Sequence, residues 1–409
     1  MSGGVDSSLA AALLLEAGHE VFGVFMRMVG EDAPPPFVPS DPAPARQVAD
    51  HLGIPLHVLD CPEALDALVA YFCSEYDAGR TPNPCVVCNK WNKFGRLLVA
   101  ARRLGAERLA TGHYARLAFG ALRATGPGKG GEETENIECR TPNIEYRSEV
   151  RESKELCHRG SSARTSSFDI RCSMFDILAS QPAFPSPVER WLLLRARHRP
   201  KDQSYMLCGL DQAQLSRALF PLGELSKEEV RRMARERGLP VHQREESQDL
   251  CFLPDRNYAA LLRRCIGDRI VPGPILDTRG RVLGTHPGCQ CFTIGQRRGL
   301  GVAAGSPRYV VRIDRAANAV VIGTREELRR ESMLVSQVNW IAFDAPPAPF
   351  EASVQIRYNH EPAPARVEPL PDGGARVVFR SPESGITPGQ AAVFYEGDLV
   401  LGGGWIEPG

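Results

Sequence analysis

The stretch Ser2-Gly3-Gly4-Val5-Asp6-Ser7-Ser8 constrains this chain more than any other. Its two glycines let the backbone close on an anion. The Ala/Leu-rich run from Ser8 to Glu16, stopped by Gly18, predicts a helix that follows at once. Consecutive backbone N–H groups and the helix N-terminus then hold phosphate. Ser2, Ser7 and Ser8 can add hydroxyl donors, and Asp6 can hold Mg²⁺ or orient the loop. A Walker A loop needs a lysine after its last glycine, and this loop has none.

Residues 1–118 alternate helix and strand signals. Strands are expected over Glu20–Met26, Pro55–Leu59 and Arg108–Thr111, and helices over Ala45–Leu52, Glu63–Tyr76 and the basic run Trp91–Leu104. That alternation predicts an α/β fold with a parallel sheet covered on both faces. From about 119 to 198 the periodicity fails, and Asn136-Ile137-Glu138-Cys139-Arg140 recurs as Asn143-Ile144-Glu145-Tyr146-Arg147. A disordered insertion is expected there. Order is expected again from Lys201, with helices over Asp211–Leu219 and Lys227–Arg237, the second capped by Ser226 with Glu228 and Glu229 in its first turn. Residues 268–325 read as short strands and turns, and 332–409 as strands between Pro/Gly turns. The expected division is an α/β domain over 1–255, a small central mostly-β domain over 256–328, and a C-terminal antiparallel β-barrel over 329–409.

Composition narrows the partners. Lys and Arg number 49 and Asp and Glu number 49, so a chain coated uniformly for nucleic acid is excluded, while a local basic face is not. The start is polar and no apolar run is long enough to span a bilayer, so a cytoplasmic location and no membrane partner are expected. In a reducing compartment, 12 cysteines at motif spacings favour catalysis or metal binding over structural staples. Cys61, Cys73, Cys208 and Cys265 sit among apolar neighbours and read as small core residues.

A second constellation is Thr81-Pro82-Asn83-Pro84-Cys85-Val86-Val87-Cys88-Asn89-Lys90. Its prolines stiffen the approach, and Lys90, Lys93 and Arg96 supply a positive field expected to favour thiolate. A Cys-x-x-Cys pair can serve redox chemistry, Zn²⁺ or an iron–sulfur cluster; Cys289 and Cys291 could complete a Zn²⁺ site. The third is Ser247-Gln248-Asp249-Leu250-Cys251-Phe252, where a lone cysteine by itself reads as core.

The glycine loop resembles the PP-loop of ATP pyrophosphatases, which adenylate a carbonyl oxygen. In that superfamily a strand runs directly into the loop; this chain begins on the loop, so that first strand is expected to be absent. Together with Lys201-Asp202-Gln203-Ser204-Tyr205, Gly295-Gln296-Arg297-Arg298-Gly299, Arg357-Tyr358 and Thr387-Pro388-Gly389-Gln390-Ala391, the three constellations resemble the tRNA-specific 2-thiouridylase family. The match runs over nearly the whole chain except 119–198.

The resemblance implies ATP-dependent 2-thiolation of the wobble uridine in tRNA, with ATP and Mg²⁺ as cofactors. ATP would lie on Ser2 to Ser8, Met26 and Gly112. Cys88 corresponds to the nucleophile and Cys251 to the persulfide carrier, and the two can form a disulfide once sulfur has been delivered. Asn83, Pro84 and Cys85 match the segment that meets the target base, and His113, Lys201, Asp202, Gln203, Arg357, Tyr358 and Gln390 match tRNA-contacting positions. The partners implied are tRNA and a persulfide-donating sulfur carrier or cysteine desulfurase. Family members often carry Asp where Cys85 stands. Cys85 is thus either an acid–base group, given a lowered pKa, or a ligand, with Cys88 and Cys251, of a [4Fe–4S] cluster. Another PP-loop ligase would need neither Cys88 nor Cys251, and an RNA-binding protein with a vestigial nucleotide site would need no intact loop.

Overall fold

The computed structural model describes residues 1–120, 189–244, 250–253, 258–303, 305–346 and 348–409. Helix α1 (Val5–Glu16) starts inside the glycine loop, three residues earlier than the apolar run suggests. Gly4 in extended conformation is its N-cap, and Leu9 and Leu13 are fully buried on its inner face. Strand β1 (Gly23–Arg27) pairs in parallel with β2 (Leu56–Asp60), with helix α2 (Ala43–Leu52) making the crossover. Helix α3 (Pro62–Asp77) follows. Strands β3 (Leu109–Ala110) and β6 (Ala218–Leu219) form a second parallel pair. Helix α7 (Lys227–Glu236) lies against α1, and Val5, Leu9, Leu13, Tyr114, Leu222, Val230, Ala234 and Leu239 close the core between them. Each leucine buried there is worth about 2–3 kcal/mol of removed apolar surface.

Several sequence expectations change. The basic helix expected from Trp91 begins at Pro84: α4 (Pro84–Cys88) runs through a π-helical stretch (Asn89–Leu97) into α5 (Leu98–Arg103). Asn83 accepts from Val86 N at 3.5 Å as N-cap, and Pro84 sits at the first helical position, where its missing N–H costs nothing. Cys85 and Cys88 therefore lie on a helix rather than on a loop. The π widening shifts the backbone ladder, and Gln214 Nε2 donates to the Lys90 and Phe94 carbonyls at 2.9 and 3.1 Å.

Strand structure is already present at Arg190, ahead of Lys201. Strand β4 (Ala115–Gly120) pairs antiparallel with β5 (Arg190–Arg195) in unbroken register. The expected insertion therefore has folded ends, and its repeats, with Cys139, Cys157 and Cys172, lie outside the described residues. Asp211–Leu219 is not one helix: α6 (Gln212–Leu215), capped by Asp211, gives way to β6. Helix α8 (Tyr258–Ile266) precedes the central sheet and was not anticipated.

The central sheet runs in the order β8 (Val282–His286), β7 (Gly273–Asp277), β10 (Ala319–Gly323), β9 (Tyr309–Asp314). The C-terminal strands are β11 (Arg329–Trp340), β12 (Phe350–Gln355), β13 (Ala363–Pro369), β14 (Ala375–Ser384), β15 (Ala391–Glu396) and β16 (Leu399–Ile406). They pair in the order β11-β14-β13-β12-β15-β16, and β11 pairs with β16 to close the barrel. Alternation places Ala363, Ala365 and Val367 of β13 inside. Strand β5 also pairs with β16, so β4 and β5 extend the barrel sheet toward the α/β core.

Candidate active site

The glycine loop is held from several sides. Gly3 has φ +71°, and a Cβ there would meet Ala45 N and Pro44 Cβ, both at 2.8 Å. Arg244 donates to the Gly3 carbonyl at 3.1 Å. Ser2 and Ser7 hydroxyls lie 3.1 Å apart, and Ser8 Oγ donates to the Gly4 carbonyl at 2.8 Å. The hydroxyls of Ser2 and Ser7 thus face each other across the turn, and Ser8 closes the first helical turn. Gly112 forms the opposite wall, where an added Cβ would lie 2.7 Å from Asp6 C and Ser7 N. Met26 lies on β1, half-buried against the core that also contains Phe72, Cys88 and Phe252.

Asp6 has an assignment. Its Oδ1 accepts from Tyr114 Oη at 2.8 Å and from Lys227 Nζ at 2.7 Å. These bonds tie the carboxylate to Tyr114 and to α7, and Asp6 stays 32% exposed. Lys227 was missed, and its side chain is only 8% exposed. The available signal is electrostatic. Lys227 opens α7 ahead of Glu228 and Glu229, and a cation at the positive end of a helix is unfavourable unless an anion faces it.

Lys93 connects this wall to the cysteines. Its ammonium lies 3.4 Å from His113 Nε2, while His113 Nδ1 lies 2.8 Å from Thr111 Oγ1. His113 is packed against Phe94 and Phe220, and burial, with Lys93 adding to it, holds its pKa well below the usual histidine range. The imidazole is neutral at pH 7. Lys93 also acts on Cys85 and Cys251.

The expected thiolate field is outweighed. Burial pushes the Cys85 thiol up, although Lys93 pulls the other way. Burial likewise raises Cys251 to about 11, with Cys88 and Cys85 adding to the rise and Lys93 opposing it. Cys251 has exposed surface, yet protein crowds its sulfur enough for desolvation to dominate. Cys85 thus lacks the lowered pKa that acid–base work at this position requires. Cys88 is buried, and Asn92, one turn on, points its amide at Cys88 Sγ (3.9 Å) while donating to the Ala64 carbonyl at 3.3 Å. Asn92 is a second residue that sequence reasoning missed, because its partners come from packing.

Cys85, Cys88 and Cys251 are free thiols. Among the described residues no group of three or more Cys, His, Asp or Glu is placed to hold a metal. The structure does not show the [4Fe–4S] site considered for these three cysteines. Nor do Cys289 and Cys291 complete a Zn²⁺ site: Cys289 is fully buried and pairs with Gln290.

The residues expected to meet tRNA divide into two groups. Asn83 is buried; its Nδ2 donates to Tyr205 Oη at 3.2 Å, and its backbone N donates to Tyr71 Oη at 3.2 Å. Pro84 is buried as well. Asp202 accepts from Arg195 Nε and Ala196 N at 2.8 and 2.9 Å. Gln203 pairs with the Tyr114 backbone through its N and Oε1, at 2.8 and 3.0 Å. Gln390 Nε2 donates to the Thr81 and Pro82 carbonyls at 3.1 and 2.8 Å, and Thr81 N donates to Pro388 O at 2.8 Å. The barrel loop thereby braces the approach to α4. Lys201 is half-exposed, Arg357 is exposed and donates to Ser384 O at 3.2 Å, and Tyr358 lies beside Tyr205.

Three family models match successive parts of the chain. They are the tRNA methyl transferase HUP domain over 1–138 and 185–255, the tRNA methyl transferase PRC-barrel domain over 259–324, and the aminomethyltransferase beta-barrel domain over 330–406. The tRNA-specific 2-thiouridylase MnmA of Chloroflexus aggregans is 43% identical over 413 residues, covering 99% of this chain and 96% of that protein. The proteins of the same name from Syntrophotalea carbinolica and Carboxydothermus hydrogenoformans are 42% and 40% identical, covering 99% and 100% of this chain and 97% and 96% of their own lengths.

Proposed function

Since the chain belongs to the tRNA-specific 2-thiouridylase family, we propose that this PP-loop sulfurtransferase converts the wobble uridine of tRNA to 2-thiouridine by way of a Cys251 persulfide. The C2 carbonyl oxygen attacks the α-phosphorus of ATP, and pyrophosphate leaves. The persulfide sulfur then attacks C2, the C–O bond breaks, and AMP departs. Cys88 thiolate cleaves the remaining S–S bond, leaving sulfur on C2 and a Cys88–Cys251 disulfide that a reductant reopens. In a second order of events Cys88 attacks the persulfide first, giving the same disulfide and free sulfide, which is then the nucleophile.

In this reading Gly3, Gly4, Ser2 and Ser7 bind the phosphates, Gly112 and Met26 line the nucleotide, and Lys227 with Tyr114 holds Asp6 and the loop. Mg²⁺ enters with the phosphates of ATP. Asn83 and Gln390 position α4, so that the base meets Cys85 and Cys88 from the Pro82–Pro84 side. The observation that carries the reading is Lys93, which touches His113 beside the Gly112 wall and acts on both Cys85 and Cys251. The exposed edge of Cys251 suits loading by a persulfide-donating carrier or cysteine desulfurase. The proposed division of labour gives adenylation to 1–255 and tRNA binding to 256–328 and the barrel 329–409. Among the described residues no helix is long and apolar enough to cross a membrane.

The test is nucleoside mass spectrometry of tRNA incubated with protein, ATP, Mg²⁺ and a persulfide donor. 2-Thiouridine is expected from the unaltered chain and none from Cys88→Ser or Cys251→Ser. Full turnover by Cys88→Ser would overturn the proposal and favour a different PP-loop ligase.

A further inference from the structure

Trp91 is one of four tryptophans in the chain and is 47% exposed, whereas Trp191, Trp340 and Trp405 are half-buried. It stands three residues after Cys88 on the same continuous helical stretch and directly before Asn92, whose amide points at Cys88 Sγ. Its inner edge is supported. The Trp91 ring meets Tyr71 edge-on, with centroids 6.1 Å apart at 74°. Tyr71 in turn is fixed by the Asn83 N–H at 3.2 Å and by Trp405 of the barrel, 6.3 Å away. Three aromatic rings thus run from the seam between barrel and α/β core out to solvent, and Trp91 is the outermost. Lys90 beside it is exposed, and Arg96, 44% exposed, is paired with Glu63 at 3.2 Å.

Trp91 keeps 47% of its surface in water, whereas the same helix buries Phe94 in the core three residues later. A ring held at one edge, open on its outer surface and next to the exposed Lys90 is an arrangement that stacks an unpaired base while the cation meets phosphate. The chemistry proposed above exposes such bases, because C2 of a uridine is reached only when the nucleotide leaves its stack.

We propose that Trp91 is a stacking platform for an unpaired base of the tRNA, next to the nucleotide presented to Cys88. The inference rests on the tRNA-thiolation reading. It makes Trp91 a positioning residue for tRNA and gives it no part in adenylation or sulfur transfer. Stacking on an aromatic side chain contributes about 1–3 kcal/mol per base, which corresponds to roughly a 5- to 150-fold change in affinity.

The test compares Trp91→Ala and Trp91→Phe with the unaltered chain. Dissociation constants for substrate tRNA come from filter binding, thiolation kinetics from nucleoside analysis, and tryptophan emission is followed during tRNA titration. The Ala variant is expected to raise Kd and KM for tRNA at least five-fold, with kcat at saturating tRNA and KM for ATP unchanged. Phe restores most of the affinity, and tRNA quenches emission in the unaltered chain but much less in Trp91→Phe. Unchanged tRNA affinity in Trp91→Ala overturns the proposal. So does a defect confined to reactions supplied by a protein persulfide donor, which would assign the ring to that protein. Circular dichroism of Trp91→Ala separates misfolding from lost stacking, since an exposed side chain is removed. If the unaltered chain binds tRNA with Trp91 quenching but forms no 2-thiouridine, the thiolation reading fails and the platform stands.

Discussion

Replacing Gly112 by alanine tests whether the glycine loop and its facing wall form one nucleotide site. Gly112 does not need glycine for its own backbone, since its φ lies outside the left-handed region. In open space the change would stabilise the fold slightly, by about 0.4–1 kcal/mol through the unfolded chain. Here the new Cβ would sit 2.7 Å from Asp6 C and from Ser7 N, and 2.9 Å from Asp6 Cβ. Two of these atoms are backbone and cannot rotate away. Ordinary contact begins at 3.4 Å, so about 0.7 Å must be found by moving the loop or the strand end that carries Gly112. Overpacking of this kind costs roughly 1–3 kcal/mol, and a mid-range cost less the gain above leaves a net loss of about 1 kcal/mol. A fall in Tm of a few degrees is expected. Function suffers more, because a misplacement approaching 1 Å can cost about 100-fold in rate. The assay is AMP release from ATP with substrate tRNA, together with KM for ATP, beside Gly30→Ala, whose Cβ meets nothing within 4 Å. We expect Gly112→Ala to lose at least ten-fold in kcat/KM for ATP and Gly30→Ala to match the unaltered chain. A Gly112→Ala protein with normal ATP kinetics and an unchanged or raised Tm would refute the steric argument.

Lys227→Met removes the 2.7 Å bond to Asp6 and leaves Asp6 with Tyr114 alone among the partners described here. A destabilisation of about 1–2 kcal/mol is expected, below the range for a fully buried pair because Asp6 is 32% exposed; denaturant titration measures it, and ATP-dependent AMP release should fall in parallel. Because burial raises Cys251 to about 11, its alkylation by iodoacetamide should climb steadily from pH 7 toward pH 11, and a plateau by pH 8 would contradict this. The linked stability has a definite sign: the neutral thiol is favoured in the folded state, so this contribution is complete below the unfolded thiol pKa and is lost as pH rises toward 11. Gln390→Leu deletes two hydrogen bonds to the Thr81 and Pro82 carbonyls, and proteolysis around residue 80 should quicken without loss of barrel circular dichroism.

The glycine loop, the alternating N-terminal elements and the C-terminal barrel were legible in the sequence because each depends on local rules. Two glycines before an Ala/Leu helix, the capping box of Ser226 with Glu229, and the two-residue alternation of β13 need no distant partner to be recognised. The motif residues proposed for the nucleotide and sulfur site were named from the same kind of local pattern. Tertiary structure decided how they meet. Asp6 reads from the sequence as a metal or loop-orienting residue, and only the fold shows its bond to Lys227, 221 residues on. Lys93 suggested ready thiolates, but charge proximity can be read along a chain and desolvation cannot, and at Cys85 and Cys251 burial outweighed the cation. The helical start at Pro84 does carry a local signal, Asn83 as N-cap and Pro84 at the first helical position, and the fold adds the bonds that hold Asn83 to Tyr71 and Tyr205. Chemistry was written in residue types at short spacing, whereas its protonation states, bracing and solvent access came from groups that folding alone brings together.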